Sequence, residues 1–195
     1  MAKDETTTED KQGYVFFFSV CLFFIGCLMI VSLSVSEPQV PNIELASMDF
    51  KVLNITQNGL SAKWDMSIRI SYNLPGHFIC RQGDLQASLL YKNVTLATSS
   101  SQKYYDLRYN IPQILKVSAV VSEEDIIGGL IGKYFIKDVK ERKEIQFGTQ
   151  FFLTDCRQDT TGVMSYACDE ATLRFEPGSD MKATVFGNHP TCTNF

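Results

Sequence analysis

Histidine is the scarcest chemically versatile residue in this sequence, with 2 copies among 195 residues. His77 follows Pro75-Gly76 and His189 precedes Pro190, so both histidines are typical of loops. The sequence has no Gly-x-Ser-x-Gly motif to present a nucleophilic serine and no Cys-x-x-Cys pair to bind zinc. We therefore expect no catalytic residues, no cofactor and no metal.

Charge of one sign is not in excess either. The formal net charge is −4, and after the N-terminal apolar run 16 lysines and arginines face 18 aspartates and glutamates. A nucleic-acid-binding domain needs a basic surface, so this balance predicts no nucleic acid partner. GGLIGKY resembles a phosphate-binding loop, but three residues instead of four separate Gly128 from Gly132, and Tyr134 follows Lys133.

Charged residues are missing altogether from one long segment. Tyr14 to Val35 form an uncharged run of 22 residues, which reaches about 33 Å as a helix and exceeds the hydrocarbon thickness of a bilayer. A cleavable signal peptide is the alternative, since Ser34 and Ser36 have the spacing of a cleavage site before Glu37. The length of the run and the acidic segment before it favour a retained transmembrane helix.

Lys3 and Lys11 precede the apolar run, and no lysine or arginine follows it until Lys51, which predicts a cytoplasmic N-terminus. The expected organisation is a short acidic tail (1–13), a transmembrane helix (14–35), a spacer (36–42) and one extracytoplasmic domain (43–195). The prolines of the spacer favour extended chain. We expect a membrane location, the plasma membrane in particular.

Four of the six cysteines lie outside the apolar run, and an even number in an oxidising compartment is compatible with two disulfides. Four cysteines allow three connectivities. We favour Cys156 with Cys168, because the segment between them is typical of a polar turn joining two strands, which leaves Cys80 with Cys192.

Two Asn-x-Thr triplets, at Asn54 and Asn93, are candidate N-glycosylation sites. Asn93 follows Lys92 between two apolar runs, which predicts an exposed hairpin turn at that pair. Glycosylation at either position would require the domain to lie outside the cytoplasm.

Alternation of apolar and polar residues is the clearest structural signal. From Leu60 to Tyr72 every second residue is apolar, which predicts a long strand with one buried face and Trp64 in the core. Further strands are predicted at Ile43–Val52, Leu85–Tyr91, Val94–Ala97, Leu115–Val121, Ile145–Leu153, Val163–Phe175 and Met181–Val185. This series without long helices predicts a mainly β domain, an antiparallel β-sandwich.

One short helix interrupts the predicted strands. Ser122 and Asp125 have the spacing of a capping box, and the glycines from Gly128 onward would end or loosen the helix. The mixed charges of the next run, KDVKERKE, indicate a solvated turn.

Two stretches, IELASMDFKVLNITQNGLSAKWDMSIRISYNLPGHFI and LQASLLYKNVTLATSS, follow the tail and the span and carry a family resemblance. They resemble the late embryogenesis abundant domain of the second subgroup, found in harpin-induced-like and hydroxyproline-rich glycoprotein-type membrane proteins of plants. The corresponding positions are Leu60, Trp64, Asp65, Asn73, Ala87 and Tyr91. Many members have Asn-Pro-Asn where this chain has Asn73-Leu74-Pro75, and paired tyrosines near His77–Cys80 are absent.

The resemblance implies a sandwich related to fibronectin type III domains, a membrane location and a role in plant defence or stress responses, without catalytic residues. We therefore expect a binding or signalling-associated module whose partner is an extracytoplasmic protein or a cell-wall polysaccharide. Edge strands and the loop from Asn73 to Asp84 are the expected contact regions. An apolar-ligand carrier and an anchored enzyme are the alternatives.

Overall fold

The computed structural model describes residues 15–27, 40–56, 60–71, 80–108, 111–122, 130–141, 144–157, 160–176, 178 and 181–195. The chain divides into two compact units, Met1–Gln39 and Val40–Phe195. In the first unit, residues 15–27 form a helix, α1, whose phenylalanine side chains are mostly exposed.

Part of the predicted transmembrane segment, residues 14 and 28–35, lies outside the described residues. Within the described residues, no helix has both the length and the apolar character needed to cross a membrane.

The second unit is mainly β, as the alternation predicts. Its elements are β1 (Asn42–Ile55), β2 (Leu60–Ser71), β3 (Gly83–Tyr91), β4 (Val94–Thr98), β5 (Gln102–Tyr104), β6 (Gln113–Val121), α2 (Leu130–Glu141), β7 (Glu144–Thr154), β8 (Val163–Phe175), β9 (Lys182–Val185) and β10 (Thr191–Asn194). Every strand pair is antiparallel.

The strands follow one another in the order β4-β3-β7-β8-β10-β1-β2-β6. β5 pairs with β3 beside β4, and β9 pairs with both β1 and β8. The long strands β1 and β8 are thus joined through two short strands from the end of the chain. They connect one half of the sheet (β3, β4, β7, β8) to the other (β1, β2, β6).

β2 confirms the strongest prediction from the sequence. Its apolar residues are buried, and its polar residues, apart from the buried Ser67, are partly or fully exposed. Trp64 is 0% exposed. β1 and β6 flank this strand, with Phe50 of β1 and Ala119 of β6 directly opposite Trp64.

An aromatic cluster fills the space between the two halves of the sheet. The ring centroid of Phe50 lies 4.9 Å from that of Trp64 and 5.8 Å from that of Phe147 on β7. Phe135 of α2 joins the same cluster, 6.3 Å from Trp64. Each half of the sheet and the helix therefore contribute rings to one core.

The prediction of a turn at KDVKERKE is wrong, because Lys137 to Glu141 lie within α2. Phe135, Ile136 and Val139 are buried, at a spacing that puts them on one face of a helix, while Lys137 and Glu141 form an i,i+4 ion pair at 3.8 Å. The charges belong to the solvent face of a helix. The proposed capping segment, residues 123–129, lies outside the described residues.

Two strands were not predicted, β5 and β10. They have three and four residues, too few for an alternating pattern. With its amide oriented so that both groups are satisfied, the side chain of Gln102 in β5 also bridges to β6: Nε2 donates to the Lys116 carbonyl at 3.1 Å, and Oε1 accepts from the Ser118 N–H at 3.1 Å. One edge of the sheet therefore meets the other.

Gly83 is required where β3, β5 and β7 converge. A methyl group at this position would lie 2.6 Å from the Tyr104 hydroxyl and 2.7 Å from Cβ of Thr154. We expect Gly83→Ala to lower the free energy of unfolding by about 1–3 kcal/mol, as overpacking does in a filled core. The measurement is urea denaturation.

Gly148→Ala is the matched control, because the added methyl would meet only Leu90 Cβ at an ordinary 3.6 Å. Equal stability of both variants and the wild type would contradict the close packing around Gly83.

Candidate functional site

Two disulfides are present, as predicted, but the predicted pairing of the four cysteines is wrong. The structure joins Cys80 to Cys156 and Cys168 to Cys192. In the chain-entropy picture, loops of 76 and 24 residues correspond to about 4.5 and 3.5 kcal/mol of stabilisation.

Strand order explains the error. β10 lies beside β8, and their register places Cys192 directly opposite Cys168. Cys80 precedes β3 and Cys156 follows β7; these strands are neighbours with Leu85 opposite Leu153, so the two cysteines meet at one end of the sheet. A turn between Cys156 and Cys168 does exist, but it does not bring the cysteines together.

An ion pair stabilises the turn that follows Cys156. The Arg157 guanidinium donates to both carboxylate oxygens of Asp155, with Nη2 to Oδ2 at 2.6 Å and Nε to Oδ1 at 2.9 Å. The Asp155 N–H donates to the Gly162 carbonyl at 2.9 Å. The hydrogen bonds from Arg157 lower the pKa of the almost fully buried Asp155 carboxyl. The start of β8 is thereby fixed against the end of β7.

A groove of about 420 Å³ lies on the outer face of β3, β7 and β8 beside this turn. Its floor consists of residues that are paired across the three strands: Phe152 is opposite both Gln86 and Ser165, and Thr154 is opposite Val163. Asp84, Ser101 and Gly162 complete its polar lining. Its size is within the range of small-molecule sites, and it combines one half-buried aromatic ring with hydrogen-bonding groups and the acidic side chain of Asp84.

The polar groups around this groove are held by the backbone and by one another. The Asp84 N–H donates to Thr154 Oγ1 at 2.8 Å, and Gln86 Nε2 donates to the Ser99 carbonyl at 3.0 Å. Burial and the nearby Asp84 raise the pKa of Tyr104 to about 12, so its hydroxyl stays protonated at neutral pH.

A second, smaller recess of about 200 Å³ lies between α2 and the sheet. The Tyr91 hydroxyl donates to Asp138 Oδ2, and the Lys92 ammonium lies 3.6 Å from the same oxygen. Burial and the hydrogen bond to Asp138 raise the pKa of Tyr91. These groups satisfy one another across the junction of β3 and α2, which indicates a structural role.

The structure places both glycosylation candidates on the surface. Asn54 is exposed near the end of β1. Lys92 and Asn93 form a two-residue turn with φ of 50° and 62° between Tyr91 and Val94, which are paired. Positive φ at both residues is the type I′ geometry, so the predicted exposed hairpin turn is confirmed.

No metal-binding cluster is found in the described part of the chain. Among these residues, no group of three or more histidine, cysteine or acidic side chains is arranged to hold a metal ion. His189 is exposed, and His77 lies outside the described residues. Of the predicted contact loop, residues 73–79 also lie outside them, while Asp84 lines the groove.

Sequence reasoning missed the groove, although one signal for it is present. Phe151 and Phe152 are adjacent in a strand, and adjacent side chains in a strand point to opposite faces. Phe151 is buried in the core, so Phe152 must lie on the outer face.

Part of the chain, residues 127–194, is similar to a family described as a protein of unknown function (DUF1163). This stretch runs from before α2 to β10 and does not overlap the segment Ile43 to Ser99 that carries the family resemblance. A crystal structure of a protein from Archaeoglobus fulgidus is similar with a TM-score of 0.37 and 9% identity, over 68% of this chain and 98% of that chain. No curated protein matches the chain.

The Asp155–Arg157 pair predicts a contribution to acid sensitivity. A carboxyl whose pKa is lower in the folded than in the unfolded protein stabilises the fold at pH values above its unfolded pKa of 3.8. This contribution is lost as the pH falls through the lower pKa of the folded protein. We therefore expect the wild type to lose more stability than Asp155→Asn between pH 5 and pH 2, in urea titrations with the disulfides intact. Parallel losses in both proteins would show that the pair contributes nothing.

Proposed function

We propose that this chain is a non-enzymatic, single-pass membrane protein whose β-rich unit lies outside the cytoplasm and binds a surface partner in plant defence or stress responses. The groove over Phe152 is the observation that carries the binding role. It is a preformed concave site on a rigid sheet, and it offers hydrogen-bond donors and acceptors beside an aromatic ring. Such a lining suits an extracytoplasmic protein segment or a cell-wall polysaccharide.

Two disulfides support the extracytoplasmic location, because such bonds persist in oxidising compartments. The uncharged run from Tyr14 to Val35 supports the anchor in the sequence, and the lysines before it support a cytoplasmic N-terminus. The surface positions of Asn54 and Asn93 suit glycosylation.

The antiparallel sheet with a core shared by its two halves supports the finer assignment, a sandwich of the late embryogenesis abundant type. The key positions of that resemblance have structural roles here: Trp64 lies in the aromatic core, and Tyr91 joins β3 to α2. Ala87 is buried on β3.

The packing favours a binding module over a carrier that holds lipid between the sheet halves. Ring centroids of Phe50, Trp64 and Phe147 lie 4.9–5.8 Å apart, so side chains occupy the space that a lipid chain would need. An enzyme is disfavoured because the polar groups of the groove include no nucleophile paired with a base.

Topology is tested with the full-length protein in plant cells. We expect the protein to resist carbonate extraction and to shift in mobility on glycosidase treatment, with Asn54→Gln and Asn93→Gln each removing a part of the shift in proportion to its occupancy. Release by carbonate with a retained glycan shift would mean cleavage after Ser36 and a secreted protein. A protease-protection experiment that places the C-terminus in the cytoplasm would overturn the proposal.

Groove binding is tested with a matched pair of valines. Val163 lines the groove and is 49% exposed, while Val120 on β6 is 60% exposed and lies outside it. Introducing glutamate at Val163 places a charge beside Phe152, and we expect binding of the full-length protein to extracted wall polysaccharides or cross-linked surface proteins to fall about tenfold. Val120→Glu should bind as the wild type does; equal effects of the two changes would exclude the groove.

A further inference from the structure

The ends of several strands come together where the spacer joins the β-rich unit. Register places Asn42 opposite Ser71, Ile70 opposite Gln113, and Thr154 opposite Val163. β10 pairs with both β1 and β8 and brings the start of β1 to the same side as the start of β8. We call this side, which includes Val40 and these strand termini, the spacer end.

The chain is firmly held where it joins the unit at the spacer end. The Tyr166 hydroxyl, in a side chain 1% exposed, donates to the Pro41 carbonyl at 3.0 Å. Val40 packs partly buried against the core. The chain at Val40 and Pro41 is therefore held by the core of the unit.

Three large apolar side chains are exposed along one rim of the spacer end. Tyr105 follows β5 and is 63% exposed, and Ile111 and Ile114, at the start of β6, are 51% and 48% exposed. Gln113 Nε2 donates to the Arg108 carbonyl at 2.7 Å, which ties the start of β6 to the segment after Tyr105. We call these three residues the rim cluster.

Cationic side chains accompany the rim cluster. The Leu107 N–H donates to the Arg81 carbonyl at 3.0 Å, which brings exposed Arg81 beside exposed Arg108. Asp106 is the acidic residue of the same segment, so the two arginines leave a small positive excess. Tyrosine and aliphatic side chains flanked by arginine are typical of the headgroup region of a bilayer, where arginine binds phosphate.

Covalent reach restricts what the spacer end can face. Four residues, Ser36 to Gln39, separate the uncharged run from Val40, and four extended residues reach at most about 14 Å. The headgroup layer on each side of a bilayer is itself about 5–7 Å thick. A domain attached at this end to a membrane-spanning segment thus has its rim within reach of lipid headgroups.

We propose that the rim cluster docks into the headgroup layer of the membrane to which the chain is anchored, and so orients the domain with the groove at a fixed height above the lipid. This inference rests on the proposed membrane anchor. The lipid contact needs no specific headgroup, because apolar insertion supplies the attraction and the arginines add contact with phosphate.

The test uses full-length protein reconstituted into phosphatidylcholine vesicles with brominated acyl chains, which quench tryptophan at short range. Trp64, the single native tryptophan, is 0% exposed and supplies a constant background. Tyr105→Trp and Ile111→Trp introduce reporters in the rim. Leu53→Trp is the control, since Leu53 is similarly exposed, at 48%, but lies about 36 Å along β1 from Asn42.

We expect the brominated lipid to remove about half of the fluorescence that each rim tryptophan adds, as for side chains buried 5–10 Å into the interface, and to leave the tryptophan at position 53 unchanged. A protein that floats with the vesicles but shows no rim quenching, or equal quenching at position 53, overturns the docking surface alone. A protein that does not float with the vesicles overturns the anchor, and the docking surface with it.

Discussion

The contact of Phe50 with Trp64, extended by Phe147 and Phe135, is the interaction on which the rest of this structure depends. Phe50 lies on the strand that the C-terminal strands β9 and β10 connect to the other half of the sheet, and its ring meets rings from both halves and from α2. Such pairs contribute about 0.5–1.5 kcal/mol each beyond burial. Without this cluster, the core shared by the two halves would lose its largest side chains, and α2 would lose the surface on which Phe135 packs.

Contact between β5 and β6 limits strand pairing at the edge of the sheet. Gln102 occupies backbone groups of β6 at Lys116 and Ser118, where an added strand would otherwise pair. Pairing of an added strand is therefore blocked at this point of β6, while the contact region of edge strands stays a prediction. The groove over Phe152 lies on the outer face, between strands whose partners on both sides are already in place.

Most local patterns were readable from the sequence, with the helical spacing in KDVKERKE as the exception, and long-range pairings were not. Alternation identified β2 and the burial of Trp64, and the pair Lys92-Asn93 identified its turn, because each depends on neighbouring residues only. The connectivity of Cys80, Cys156, Cys168 and Cys192 depends on β10 returning between β1 and β8, which no local pattern encodes. Predicting the groove likewise requires the register of β3, β7 and β8. The adjacent pair Phe151-Phe152 indicates only that one aromatic ring lies on the outer face.

Cross-links of three kinds converge on the spacer end, and together they explain how a shallow groove keeps its shape. The Cys80–Cys156 disulfide, the Asp155–Arg157 ion pair and the hydrogen bond from Tyr166 to Pro41 each fix a segment beside it. A site that is already ordered loses less conformational entropy when a ligand binds, so more of the contact energy becomes affinity. The hydrogen bond from Tyr166 also holds Pro41 at the start of the β-rich unit, so the point where the chain enters the unit is fixed beside the groove.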